Sequence, residues 1–268
     1  MKAVIQIIIE QINSFYLILR LSSFELKSEN NNNYLGILWE VINPMIQIGI
    51  YWFVFGTIRG SHRMVDGVPF VQWLLAGIVV WFFVYQGILH GSKSVYTRIR
   101  MIAKMSFPMS AIPSFVIISK FYQHLILVGI IVIIFQFMGQ FVSIHYIMLP
   151  YFMFATIALI FSFSLITSTL STIIRDVQMV VQSLLRVLIY MTPILWTMEG
   201  VKGWVRDILV LNPLWYIVDG YRASLLGTSW YPVTHWHYTI YFWAVILVFM
   251  LIGSVVHVKF RDRFVDFL

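Results

Sequence analysis

Residues 146–173, YIMLPYFMFATIALIFSFSLITSTLSTI, contain no charged side chain. A bilayer core accepts about 20 such residues as one crossing helix. Comparable runs recur at about 37–58, 68–90, 112–138, 178–197 and 237–258, so the pattern predicts six spans. Lipid gives backbone N–H and C=O groups no partner, which leaves α-helices and closed β-barrels as spanning structures. A barrel would alternate apolar and polar residues in segments of about 10, and the sequence has none of these. The predicted fold class is an all-α polytopic membrane protein. Composition agrees: 11% of residues are charged, against about 25% in a soluble domain. The third and fourth runs exceed the ~20 residues a span requires, so they tilt or extend past the bilayer.

Cysteine is absent, which excludes disulfides, thiolate nucleophiles and cysteine-based metal sites. The net charge of +7 bears on membrane orientation rather than on nucleic acid. Lys2, Arg20, Lys27, Lys93, Arg98, Arg100, Lys104, Arg175, Lys259, Arg261 and Arg263 fall on one side of the predicted spans. Arg59, Arg63, Lys202, Arg206 and Arg222 fall on the other. The excess predicts both termini in the cytoplasm of a multi-pass cell-membrane protein. No small-residue cleavage site follows the apolar start, so a cleaved signal peptide is not expected.

At the N-terminus, Lys2, Gln6, Glu10, Asn13 and Arg20 share one helical face, and Ile5, Ile8, Ile12, Phe15 and Leu19 the other. That predicts a helix lying in the membrane interface over residues 1–21, or else a lead-in to the first span. The polar run SSFELKSENNNN (22–33) is expected to be a hydrated connection. Between the second and third spans, Val95, Ile99, Ile102 and Met105 recur at helical spacing, with Lys93, Arg100 and Lys104 mainly elsewhere. This predicts a short surface helix over about 93–106, ended by Pro108. It rests on anionic lipid or docks a soluble partner; spacing does not choose.

Four stretches carry a family resemblance. KMSFPMSAIP (104–113) resembles the lysine, aromatic-proline, proline signature of polysaccharide-export permeases, the membrane halves of type-2 ABC exporters. YLGILWEVINPMIQIGIYWFVF (34–55) resembles that family's first span, and IIRDVQMVVQSLLRVLIYMTPILW (173–196) its fifth, preceded by an Arg-Asp pair. LNPLWYIVDGYRASLLG (211–227) resembles its Asn-Pro and Tyr-Arg elements. Each match is weak alone; the four occur in family order. The overall likeness is closest to Gram-positive wall teichoic acid exporters.

The resemblance implies a homodimeric permease bound to two copies of a cytoplasmic ABC ATPase. ATP and Mg would reside in that subunit; this chain has no Walker loop, carries no cofactor and is expected to have no catalytic site of its own. Tyr96, Arg98, Ile99, Arg100, Ile102 and Lys104 would form the coupling helix. Residues 1–33 would comprise an interfacial gate-like helix and connection, 34–268 the permease domain, and 198–227 a re-entrant segment. The implied activity is flipping a polyprenyl-pyrophosphate-linked polymer, teichoic acid first, to the outer leaflet for cell wall biogenesis. Capsule or O-antigen export and drug or peptide efflux are the alternatives. Sugars stack on aromatic faces, which nominates Tyr51, Phe55, Tyr190 and Trp196 for a substrate conduit; Trp39, Trp52, Trp73 and Trp81 add to the aromatic lining, with interface belt or packing as the alternative role for all of them. Lys120, Arg186 and Glu40 lie at similar depth within spans. They are expected to form ion pairs, or one of the cations meets the carrier pyrophosphate.

A membrane-embedded enzyme is the remote alternative. His62 and Asp66 are one residue too close for an acyltransferase pair, and His235 with His237 lacks a third metal ligand, so no metal site is expected. A secondary transporter would show a repeated broken-helix pair, which the sequence lacks.

Overall fold

The computed structural model describes residues 1–29, 34–54, 64–102, 108–261 and 264, with only the backbone of 99–102. Two N-terminal helices, α1 (Lys2–Asn13) and α2 (Phe15–Glu29), meet at a 68° bend. There follow α3 (Trp39–Trp52), a hairpin of β1 (Met64–Val65) and β2 (Val68–Pro69), α4 (Phe70–Ile102) and α5 (Ala111–Phe137). A 3₁₀ turn at Ile144–Met148 leads into α6 (Leu149–Ile173), then α7 (Asp176–Met191), α8 (Gly203–Val210), α9 (Pro213–Leu226), α10 (Tyr231–Thr234) and α11 (Trp236–Phe260).

Among the described residues, four helices are long and apolar enough to cross a membrane: Phe70–Arg98, Ala111–Phe137, Ile144–Ile173 and Trp236–Phe260. They correspond to the second, third, fourth and sixth predicted spans. The α1–α2 pair would make five if taken as one bent span. The predicted first and fifth spans appear as α3, 14 residues, and α7, 16 residues. Both fall short of the ~20 residues a crossing needs. Residues 55–58 of the first lie outside the described residues. The fifth stops early for a local reason. Pro193 disfavours helical backbone at the residue before it, and Thr192 is extended at φ −101°, ψ 131°.

Two further expectations change. Residues 93–102 do not form a separate surface helix; they continue α4, a single 33-residue helix. Nothing in SKSVYTRIRMI breaks it, since glycine and proline are missing there. Lys104 and Phe107 lie outside the described residues. The run 22–33 is also not simply a hydrated connection, because α2 extends to Glu29.

Helix α4 is the hub, 72% buried over its span window, whereas α11 is only 22% buried. Helix α11 is apolar on every side and presents Ile240, Leu247, Val248 and Val255 outward, as lipid contact requires. Close helix approach depends on small residues. A Cβ added at Gly91 of α4 would lie 2.3 Å from Ser164 Oγ of α6; one at Gly253 of α11 would lie 3.1 Å from the Ser162 carbonyl of α6. Several hydroxyls of α6 are satisfied within the helix: Thr156, Ser162, Thr169 and Thr172 each donate to the carbonyl four residues earlier.

The end of the bundle away from the termini is organised around α9. Asn212 caps its start by accepting from the Leu214 N–H at 3.0 Å, Pro213 follows at the first turn, and Gly227 closes it at φ +70°. Asn212 also donates to Thr192 Oγ1 at 2.8 Å, tying α9 to the end of α7. Arg222 is 5% exposed. Its guanidinium lies 3.4 Å from the Trp73 ring centroid and donates to Asp219 Oδ1, to the carbonyls of Pro193 and Ile194, and to that of Trp73. One cation thus joins α9, α4 and the segment after α7. Gly77 makes room for it, since a Cβ there would meet the guanidinium at 2.7 Å.

A lysine cannot reproduce a planar fork that bonds several carbonyls at once. Arg222→Lys is expected to destabilise the chain by about 1–3 kcal/mol through unsatisfied carbonyls. Thermal unfolding in detergent checks this, with Arg206→Lys, at an exposed position of α8, as the unaffected control.

Candidate functional site

The N-terminal helices are amphipathic in an unusual sense. Their apolar residues Ile5, Ile8, Ile12, Phe15 and Tyr16 are exposed, while polar ones turn toward the bundle. Glu10 receives hydrogen bonds from Ser110, just before α5, and from Arg261, just after α11. Gln11 donates to the Ser110 carbonyl at 3.0 Å and accepts from Ser114 Oγ at 2.5 Å. On α2, Ile18 and Ser22 are buried, and Glu25 and Glu29 follow at helical spacing on the same stripe. Glu25 pairs with Arg98 of α4. Glu29 pairs with Lys120 of α5 and lies 3.4 Å from His90 Nδ1 of α4. The N-terminal helices and the end of α11 therefore sit at one end, fastened by carboxylates on α1 and α2.

The Glu29 cluster stands at the mouth of a polar chamber. An opening of about 620 Å³ is lined by Glu29, Trp39, Glu40, Asn43, Gln86, His90 and Lys120. A deeper cavity of about 260 Å³ shares Glu40, Asn43, Gln86 and Lys120 with it and adds Tyr51, Trp81, Tyr85 and Gln123. Helices α3, α4 and α5 supply these walls. Lys120 is 3% exposed. Gln123 Nε2 is buried without a hydrogen-bond partner among the described residues. The chamber thus offers aromatic faces, side-chain amides and two cationic or imidazole nitrogens.

The sequence-nominated residues divide accordingly. Lys120 and Glu40 both line the chamber, but Lys120 takes its carboxylate from Glu29. Arg186 is exposed on α7, away from both. Tyr51 lines the cavity; Tyr190 is exposed on α7, and its carbonyl accepts from Trp196 Nε1 at 2.9 Å. Phe55 lies outside the described residues. Trp39 and Trp81 join the chamber, whereas Trp73 stacks on Arg222 and Trp52 is exposed. Tyr96 and Arg98 are half-buried near the end of α4; the side chains of Ile99, Arg100 and Ile102, and all of Lys104, are outside the described residues. His62 is outside them too, and Asp66 is the φ +51° residue of the β1–β2 turn. His235 stacks on Tyr231 at 4.3 Å between ring centroids, and the described residues hold no group of three metal-ligating side chains.

Sequence reasoning missed Glu25, Glu29 and His90. The signal was available: Ile18, Ser22, Glu25 and Glu29 are spaced at four, three and four residues, one face of a helix continuing through the polar run.

Burial works to raise the Glu29 carboxyl pKa, but the hydrogen bond from His90 and the charge and hydrogen bond of Lys120 outweigh it and hold it at about 2. Burial also acts to raise that of Glu10, and the hydrogen bonds from Ser110 and Arg261 with the Arg261 charge bring it below the usual range. A released Glu29 would titrate near ~4.3, so the docked state binds fewer protons. Its stabilisation of docking is complete above that value and is lost as pH falls toward about 2. Amide exchange across 15–29, corrected for intrinsic rates, is expected to accelerate between pH 6 and pH 3. In Glu29→Gln the pH-dependent part should shrink.

A family model described as ABC-2 type transporter matches residues 16–226. An O-antigen export system permease protein from Klebsiella pneumoniae is 25% identical over 257 residues, covering 95% of each chain. Another of that name from the same organism is 22% identical over 256 residues, again covering 95% of each. A third, from Myxococcus xanthus, is 22% identical over 209 residues, 77% of this chain and 79% of the relative.

Proposed function

Because the chain belongs to the ABC-2 type transporter family, we propose that it is the membrane permease of a polysaccharide exporter. Family membership implies an ATPase partner, and the apolar helices make the chain a multi-pass membrane protein. The three relatives are named for O-antigen export. They favour the O-antigen alternative over teichoic acid, so the cargo in this proposal is a lipid-linked polysaccharide of the O-antigen type.

The observation that carries the proposal is the chamber at the termini end. Flat aromatic faces of Trp81, Tyr85 and Tyr51 beside the amides of Gln86 and Gln123 suit a sugar, which stacks its C–H faces and bonds its hydroxyls. A purely apolar drug would leave those amides unsatisfied, at a cost in affinity. In this proposal the termini end is cytoplasmic, supported by its positive charge. The end of α4 past Arg98 is the ATPase contact, and the α1–α2 pair lies in the interface with its isoleucines in lipid.

A second copy completes the permease. Helix α7 exposes Met179, Leu184, Val187 and Tyr190 together with Arg186. An arginine on an otherwise apolar face is costly against lipid, and a second chain covers it. In this proposal the short α3 and α7 count as the first and fifth of six spans.

Reconstitution with its ATPase tests the assignment. A polyprenyl-pyrophosphate polysaccharide is expected to stimulate ATP hydrolysis several-fold. Stimulation by peptides or drugs alone would refute it. Arg100→Glu or Ile102→Asp should reduce ATPase co-purification; full retention in both would move the contact elsewhere.

A further inference from the structure

Glu29 uses both carboxylate oxygens. Oε2 accepts from Lys120 Nζ, and Oε1 faces His90 Nδ1. The two nitrogens belong to α5 and α4, in the body of the bundle. The carboxylate belongs to the last residue of α2, a peripheral helix. It sits where the 620 Å³ opening meets the deeper cavity. A lysine and an imidazole converging on two oxygens are the donors that a phosphate ester also requires. Immediately inward are the Trp81 and Tyr85 rings, and the Nε2 donor of Gln123 that has no acceptor among the described residues. Buried donors ordinarily have one. A sugar attached to the phosphate would bring both an apolar face for the rings and an oxygen for Gln123.

We infer that Lys120 and His90 are the phosphate-binding groups for a lipid-borne sugar phosphate, and that Glu29 occupies the anion's place until that ligand arrives. The inference rests on the proposed export function for the nature of the sugar. The step is an exchange of non-covalent partners: the ligand's phosphate oxygens replace the Glu29 carboxylate on Lys120. A buried ammonium left with neither would be strongly disfavoured. The end of α2 is therefore released by arrival of the anion, and the site reports that it is filled.

Two sources offer the same phosphate ester: a prenyl-pyrophosphate sugar and an ordinary anionic phospholipid. The test uses the full chain in neutral phosphatidylcholine nanodiscs, with tryptophan fluorescence as readout, since Trp39 and Trp81 line the site. The probes are inorganic pyrophosphate, a prenyl pyrophosphate bearing N-acetylglucosamine, and added phosphatidylglycerol. Lys120→Gln is expected to weaken the sugar-bearing probe at least tenfold. Glu29→Gln is expected to tighten it about tenfold, because an internal occupant present nine times in ten costs that factor. Tyr85→Ala should weaken the sugar-bearing probe and leave inorganic pyrophosphate unchanged.

A merely structural ion pair predicts the opposite for Glu29→Gln, namely equal or weaker binding, and that result overturns the inference. If Lys120→Gln does not fold, Glu29→Gln alone decides. Displacement of the probe by phosphatidylglycerol, with no effect of the sugar or of Tyr85→Ala, overturns the sugar-phosphate assignment. Binding as expected with no ATP-driven transport of any polysaccharide leaves this site standing and removes the export function. Transport without the Glu29 and Lys120 effects does the reverse.

Discussion

Lys120 brings a positive charge to within about one turn of the middle of α5, and no other residue of that helix is a lysine, arginine, aspartate or glutamate. Such a charge needs an anion within reach. The four long helices offer none, because they contain no aspartate or glutamate. The anion comes from outside the bundle, on α2. Meeting that one need fixes much else at the termini end. For Glu29 to reach Lys120, α2 must lie along α5, which turns Ile18 and Ser22 inward and Glu25 onto Arg98. The bend at Ser14 then lets α1 cross to α11, where Glu10 meets Arg261. The helices that result face the protein with their polar side and the surroundings with isoleucine and phenylalanine. This arrangement is unfavourable in water and favourable at a bilayer surface.

The opposite end handles its buried cation differently. Arg222 is satisfied by carbonyls from two other segments, by Asp219 one turn away and by the Trp73 ring, in a space left by Gly77. None of these partners can leave without unfolding part of the bundle. Lys120 has instead a single carboxylate on a helix held at the edge. The contrast is physical rather than positional. A cation held by fixed dipoles is a fastener, and a cation held by a single carboxylate can exchange it for another anion. Both ends contain a nearly buried charge, and the one at the α2 end adjoins the chamber.

The spans were legible because apolar length reports directly on bilayer thickness. The interruption at Pro193 was legible too, in hindsight, since proline acts on the residue before it whatever surrounds it. The pairing of Lys120 was not. Sequence gives depth along a helix well, which placed Glu40, Lys120 and Arg186 at one level. It gives azimuth poorly when a helix is apolar all round, as α5 is. Arg186, on α7, is exposed, while Lys120 is buried. The asparagine run at 30–33 also obscured α2, because its polarity suggested solvent for the whole stretch and hid the stripe ending at Glu29. The identity of the polymer was not legible for another reason. Rings and amides recognise sugar faces and hydroxyls, features common to many glycans, and nothing in the lining encodes one polymer.

The two carboxylates at the end of α2 link the chamber to the far end of α4. Glu25 and Glu29 are one helical turn apart, about 6 Å along α2. Their partners on α4, Arg98 and His90, are eight residues apart, about 12 Å along that helix. Helix α2 is thus clamped to α4 at two points, and Glu29 shares its second clamp with Lys120 of α5. A force applied to the end of α4 beyond Arg98 cannot move that end relative to α5 without loading the Glu29 contact. Conversely, an anion that takes Lys120 from Glu29 releases the last turn of α2 from α5, while Ile18 stays packed on α5 and the Arg98–Glu25 pair stays intact. If a phosphate displaces Glu29 as inferred, occupancy of the chamber and the position of the end of α4 are coupled through one turn of one helix, and linkage then requires the coupling to act equally in both directions.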